Sequence, residues 1–333
     1  KSDLKLGKID IVVGTHKLIQ GGISYKNLGL IIIDEEHRFG VKQKESLKKI
    51  RGQSDILTMT ATPIPRTLEL AAYGDMDISK LVTMPLNRKP IVTKSMSTEK
   101  ISDLKSALLK KIENNEKIYW VCPLVEESNS SSIQSVTNRL QDLQEYYGND
   151  KVSMVHGKMK NEEKNVIMKN FKTGKIKILI ATSVIEVGID VPNATLMTIL
   201  DAENFGLAQL HQLRGRIARG RVQGICAAVT DAETSISPRI DAFVSTADGF
   251  VLAEQDLILR GPGDILGSRQ SGSPPLYLAD LLRDGAVAAE ARSDAKTIFE
   301  TDPALDDPKF IRLKNVLLGR WAATLNLGQE RVR

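Results

Sequence analysis

The sequence predicts an α/β protein: two parallel-sheet units in tandem, followed by a helical hairpin and C-terminal helices. Three observations predict it. Continuous β-branched runs such as "LGLIIID" (28–34) suit strands buried on both faces. These runs alternate with stretches of helical spacing, as in βαβ units. The alternation breaks at "MPLNRKP" (84–90), resumes, and gives way to helical patterns beyond about residue 235.

The elements follow in order. "IDIVVGTH" (9–16) reads as a short strand closed by Gly14 and Thr15, and "LGLIIID" as the next. "FGVKQKESLKKI" (39–50) has helical spacing with a basic face. "DILTMTATPIPRTLELAAYG" (55–74) reads as strand, loop, then a helix opened by Pro65 and stopped near Gly74. In the second unit the expected strands are "KIYWVCPLV", "VSMVHG", "IKILIAT", "TLMTILD" and "GICAAVTD", with helices at 101–113, 133–147, 161–172 and 206–219. The serine-rich "EESNSSSIQS" (126–135) is a surface loop. "SPRIDAFVSTADGFVLAEQDLILRGPGD" (237–264) reads as helix, Asp-Gly turn, helix and a Gly-Pro-Gly loop, and the Ala-rich stretch after it as helix. The expected divisions are 1–90, 91–235, 236–275 and 276–333.

Composition narrows the class. A chain of 333 residues suits two or three domains, and 41% hydrophobic with 26% charged residues is normal for a soluble globular protein. No apolar run approaches a membrane span, and "KSDLKLGKID" has no signal-peptide core. Two cysteines, each in an apolar stretch, speak against a disulfide framework or metal cluster and fit a reducing cytoplasm. A net charge of +5 permits a polyanionic partner without requiring one. The cations are uneven: no lysine lies between Ile178 and Ala295, and Arg139 is the one arginine between Arg88 and Arg214.

The chemistry-bearing residues sit at expected strand ends, where the loops of a parallel sheet converge on a crevice. "DEEH" begins with Asp34 and Glu35, a carboxylate suited to the water shell of Mg²⁺ and one suited to deprotonating water. His37 would sit where it could sense a γ-phosphate or a facing domain. Acids in the first turn of a helix, favoured by its dipole, would also account for the tetrad taken alone. "TATPIP" follows, its Thr60 and Thr62 hydroxyls suited to relaying between a nucleotide and a bound strand. Gly14, Thr15 and His16 can hold a nucleic-acid phosphate. In "ATSVIEVGIDVP" (181–192), Thr182 and Ser183 suit phosphate contact, and Gly188 and Asp190 a close approach to ribose or nucleotide. "QLHQLRGRIARG" (209–220) places Gln212, Arg216 and Arg219 on an expected helix, the two arginines three apart on one face. Such arginines act as fingers on a γ-phosphate, and a solvated basic helix would also explain them.

Taken together, these segments resemble motifs Ib, II, III, IV, V and VI of superfamily 2 helicases, over roughly residues 9–225. The resemblance implies two RecA-like domains with ATP and Mg²⁺ in the cleft and nucleic acid across the top. "DEEHRFGVKQK", "TATPIPRTLELAAYGDMD", "YWVCPLVEES" and "DLILRGPGDILGSRQSG" are similar to the RecG family of bacterial junction helicases. That resemblance implies a motor on branched or duplex DNA, monomeric and without membrane contact; it leaves contact with single-strand-binding protein open. It also implies a translocation hairpin and loop in which Arg260, Arg269 and Gln270 are the moving part. The transcription-repair coupling factor shares this hairpin and is the alternative, although "LRGPGD" sits nearer RecG. Where the family has "GRVGRG" this chain has "GRIARG", so Ala218 replaces a glycine.

No G-x-x-x-x-G-K-[S/T] loop occurs in the sequence. The expectation is therefore a first unit truncated before its phosphate loop and wedge domain, with exposed apolar surface, that does not hydrolyse ATP alone. A non-catalytic DNA-binding module is the contrasting reading.

Overall fold

The computed structural model describes residues 1–333 except 20–21, 36–38, 41–42, 44–45, 48–49, 51–53, 66–76, 85–88, 124–130, 183–190, 192, 221, 232–236, 261–282 and 322–333. The chain divides into two compact units, Lys1–Pro63 and Ile64–Arg333.

In the first unit, helix α1 (Ser2–Leu6) ends at Gly7, whose φ of 70° only glycine adopts freely. Strands β1 (Leu30–Asp34) and β2 (Asp55–Met59) pair in parallel, with Leu30 opposite Asp55 and Asp34 opposite Met59. Ile33 is buried, whereas Leu30, Ile32, Leu57 and Met59 are exposed. Burial on both faces, expected from the apolar run, is thus not what β1 shows: none of the described residues covers its second face. The strand expected at 9–16 is also absent. Residues 9–15 pair with nothing in a ladder, His16–Ile19 form a 3₁₀ turn, and Ile11 and Val13 stand 83% and 92% exposed. A strand needs a neighbour for its N–H and C=O groups, and the described sheet offers this segment none. Within "FGVKQKESLKKI", residues 43, 46–47 and 50 are helical.

The second unit is built on six parallel strands. They are β3 (Val92–Ser97), β4 (Lys117–Val121), β5 (Val152–Val155), β6 (Ile178–Ala181), β7 (Ala194–Ile199) and β8 (Ile225–Thr230), in the order β3-β8-β7-β4-β6-β5. The central strands β4, β6 and β7 are buried at every position. Side chains alternate between two cores, as period two requires. On one face Tyr119, Leu179 and Met197 pack with Phe171, Leu210, Phe243 and Leu252. On the other, Ile118, Trp120, Ile180 and Leu196 pack with Leu108, Ile112, Leu143 and Tyr147. All five expected strands are present. The sixth, β3, escaped the sequence reading because "VTKSMS" is half polar and pairs on one side only, with β8.

Helices α2 (Ile101–Glu113), α3 (Ser131–Tyr147) and α4 (Asn161–Thr173) cover the sheet where expected. Helix α4 stops at Gly174, φ 85°. Helix α5 (Leu207–Arg214) is shorter than the expected 206–219. Beyond it the chain turns, and Ala218, at φ 54°, donates its amide to Ala194 O at 2.8 Å. That bond returns the chain to the sheet, so Arg216 and Arg219 do not share a helix face. Then follow α6 (Pro238–Ser245), α7 (Gly249–Arg260), α8 (Gly285–Thr301) and α9 (Ile311–Val316). Asp248 caps α7, its Oδ1 accepting from the Phe250 amide at 2.8 Å. No described helix is long and apolar enough to cross a membrane.

The return to the sheet is tight. A β-carbon on Gly224 would lie 2.6 Å from the buried Ala218 Cβ. Gly224→Ala should therefore destabilise the second unit by about 1–3 kcal/mol, read as a lower denaturation midpoint. An unchanged midpoint would mean that this approach is looser in solution.

Candidate nucleotide and nucleic-acid sites

Asp34 is the last residue of β1 and lies at its carboxyl end. Glu35 follows in a left-handed conformation, φ 54°, while its amide still donates to Met59 O at 2.9 Å. For a non-glycine residue this conformation is costly and persists only when the surroundings hold it. Here the ladder holds the backbone, and the turn swings the side chain toward the end of β2. There the Thr60 hydroxyl donates to Glu35 Oε2 at 3.4 Å, a long bond, and lies 2.7 Å from the Thr62 hydroxyl. The Thr62 amide donates back to Thr60 Oγ1 at 3.1 Å. The structure thus brings together Glu35, Thr60 and Thr62 from two separate motifs.

Gly14, Thr15 and His16 are exposed and enter the 3₁₀ turn, where the Leu18 amide donates to Thr15 O at 2.9 Å. His37 lies outside the described residues.

In the second unit, Thr182 follows β6 and is buried, its hydroxyl unpartnered among the described residues. Ser183, Gly188 and Asp190 lie outside them. Gln212 is half-buried on α5, Arg216 is half-buried in the turn, and Arg219 is exposed with its Nε donating to Gly215 O at 3.4 Å. Arg260 ends α7, and Arg269 and Gln270 lie outside the described residues.

Two features escaped the sequence reading. Arg214 is 3% exposed in the core beneath α5. The signal was its spacing: Leu207, Leu210 and Arg214 fall at i, i+3 and i+7, on one apolar stripe. The other is Asp201 at the end of β7, left-handed at φ 47°. Burial lifts its carboxyl above the ordinary range; Glu203 and Asp231 push the same way and Arg139 opposes them.

Comparison with known proteins follows the same segments. Residues 1–71 match the DEAD/DEAH box helicase family, 99–221 the helicase conserved C-terminal domain, and 246–325 the family described as ATP-dependent DNA helicase RecG, domain 3, C-terminal. A RecG helicase of Streptococcus pneumoniae is 45% identical over 91% of the chain, and that of Bacillus subtilis 42% over 95%. The chain belongs to the RecG family. It spans about half the length of these RecG relatives, 46% of each. A solved RecG bound to a three-way DNA junction superposes with a TM-score of 0.64 at 39% identity, over 86% of this chain and 37% of that one. The fold is the RecA-like helicase fold of that RecG structure. The backbone at Ala218 is left-handed, φ 54°, a conformation that glycine adopts more readily than alanine.

The Asp201 carboxyl gives a pH prediction. A carboxyl raised in the folded chain favours the fold when protonated: that contribution is complete below the ordinary value of 3.8 and is lost as pH rises through the higher folded value. Asp201→Asn keeps a residue tolerant of φ 47° and removes the charge. It should raise the melting midpoint by about 1–3 °C at pH 7, with the gain vanishing below about pH 3.5. A variant no more stable than its parent at pH 7 would contradict this.

Proposed function

We propose that the chain carries motor residues of an ATP-dependent DNA helicase acting on branched DNA, replication forks and Holliday junctions, in recombination and repair. The observation that carries this reading is the cluster of Glu35 with the Thr60 and Thr62 hydroxyls at the carboxyl end of a parallel strand pair. Its context supports it: the relatives are ATP-dependent DNA helicases, and one solved relative is bound to a three-way DNA junction.

The donor set fits Mg²⁺-ATP on its acidic side. Asp34 would hold the metal through water, and the metal would neutralise charge on the phosphates. Glu35 orients a water and accepts its proton. The Thr60 hydroxyl steadies the Glu35 carboxylate, and Thr62 extends that contact away from the acid. His37 senses the phosphate. Gln212, Arg216 and Arg219 would offer polar and cationic donors to the nucleotide, and Gly188 and Asp190 are residue types that would suit a close approach to it. Gly14, Thr15, His16, Thr182 and Ser183 serve the DNA backbone. Arg260, Arg269 and Gln270 belong to the translocating loop.

The functional segments are 1–90 and 91–235 for the motor, 236–275 for the translocation hairpin and 276–333 for the C-terminal helices. The assembly is a monomer working in the cytoplasm.

The test uses the intact protein that contains this sequence and a forked DNA duplex. Glu35→Gln should lower kcat for DNA-stimulated ATP hydrolysis by about 10²-fold or more while fork affinity stays within about twofold. Turnover retained by that variant would remove Glu35 as the base. A polypeptide of these 333 residues alone contains no phosphate-cradling run, and should bind forked DNA without DNA-stimulated ATP hydrolysis. Robust turnover by it would contradict this expectation.

A further inference from the structure

Among the described residues, no carboxylate is a hydrogen-bond partner of the buried Arg214 guanidinium. The two N–H groups of its Nη1 are shared among Phe243 O at 2.9 Å, Thr246 O at 2.8 Å and Thr93 Oγ1 at 3.1 Å. Its Nη2 lies 3.2 Å from His211 Nδ1. Guanidinium only donates, so a hydrogen bond between them has the imidazole nitrogen as acceptor. The Phe243 ring lies 4.6 Å from Arg214 Cζ. Burial depresses the guanidinium from its ordinary value, and neighbouring Cys226 acts weakly the other way. A buried cation without a carboxylate is costly to keep. A leucine here would fill the stripe begun by Leu207 and Leu210 without that cost, so packing alone does not account for arginine.

What arginine adds is reach in several directions at once. Phe243 is on α6 and Thr246 forms the corner between α6 and α7, while Thr93 is on β3 at the sheet edge. Arg214 itself is the last residue of α5, two before Arg216. One planar group therefore joins the root of the Gly215–Arg219 turn to the corner of the hairpin and to the sheet.

We propose that Arg214 is a positioning residue that makes the Gly215–Arg219 turn and the α6–α7 hairpin move as one body. Its consequence for translocation rests on the helicase reading above. A lysine in its place keeps the charge, but its ammonium ends one bond short of the Nη1 position, leaves the His211 nitrogen without a second donor and offers the Phe243 ring no planar face.

Two measurements on the intact protein test this. In hydrogen exchange, Arg214→Lys should speed the amides of residues 246–252 by at least about tenfold while residues 210–217 keep their rates. In coupled assays on forked DNA, kcat for ATP hydrolysis should stay within about threefold, while base pairs unwound per ATP fall by at least about tenfold. Phe243→Leu, which removes the ring beside the guanidinium, should move both readouts the same way by less, and decides the matter if Arg214→Lys does not fold. Exchange unchanged, exchange faster by the same factor in both segments, or an unchanged coupling ratio would overturn the proposal. A parent protein with no DNA-stimulated ATP hydrolysis would instead refute the helicase reading, and the exchange measurement would still decide the tie.

Discussion

The turns at the sheet ends, at the carboxyl end for Glu35 and Asp201 and at the amino end of β7 for Ala218, depend on the same constraint: a residue other than glycine turns left-handed while a nearby amide stays bonded to the sheet. Glu35 does so with its amide on Met59 O, and Ala218 with its amide on Ala194 O. At Asp201 the bond is made one residue earlier, by the Leu200 amide to Val121 O at 2.9 Å. In each case the ladder anchors the backbone and the left-handed residue redirects it. The side chains that follow are thereby aimed from a rigid base rather than from a loop, which is what a site needing fixed donors requires.

The two units bear this constraint differently. The second has a complete two-sided core: β4 is buried throughout, and helices lie on both faces. Its left-handed residues are supported by close packing, as the approach of Gly224 to Ala218 shows. Among the described residues the first unit has two strands with one apolar face exposed, so Glu35 relies on the β1–β2 ladder and on the threonines beyond it. Chemistry and rigidity are therefore unequally shared. The acids belong to the lightly packed unit, and the arginine-bearing turn to the densely packed one.

Much of this was legible in the sequence, for identifiable reasons. Strands β4, β6 and β7 are buried on both faces, and such strands read as unbroken apolar runs. The acid pair stands out because polar residues interrupt such a run abruptly. Edge strand β3 did not stand out, because a strand with one neighbour keeps polar residues. The end of α5 was misplaced because "QLRGRIARG" keeps helical spacing past Arg214, and a left-handed alanine carries no compositional mark. Residues 9–16 read as a strand because their composition suits one, but pairing is a property of neighbours, and the described residues supply none. Arg214 was counted as one more cation because burial of a charge is visible only once its acceptors are in place.

The claim on which the rest stands is that Glu35 is held in a strained backbone to serve as a fixed carboxylate. Denaturant unfolding of Glu35→Gly against Glu35→Ala tests it most directly, since the two differ at this position by one methyl group. If the left-handed conformation at φ 54° is held in solution, the glycine variant should be more stable than the alanine variant by about 1 kcal/mol. An alanine variant as stable as the glycine variant, or more so, would show that the backbone at residue 35 is not so constrained and would contradict the account.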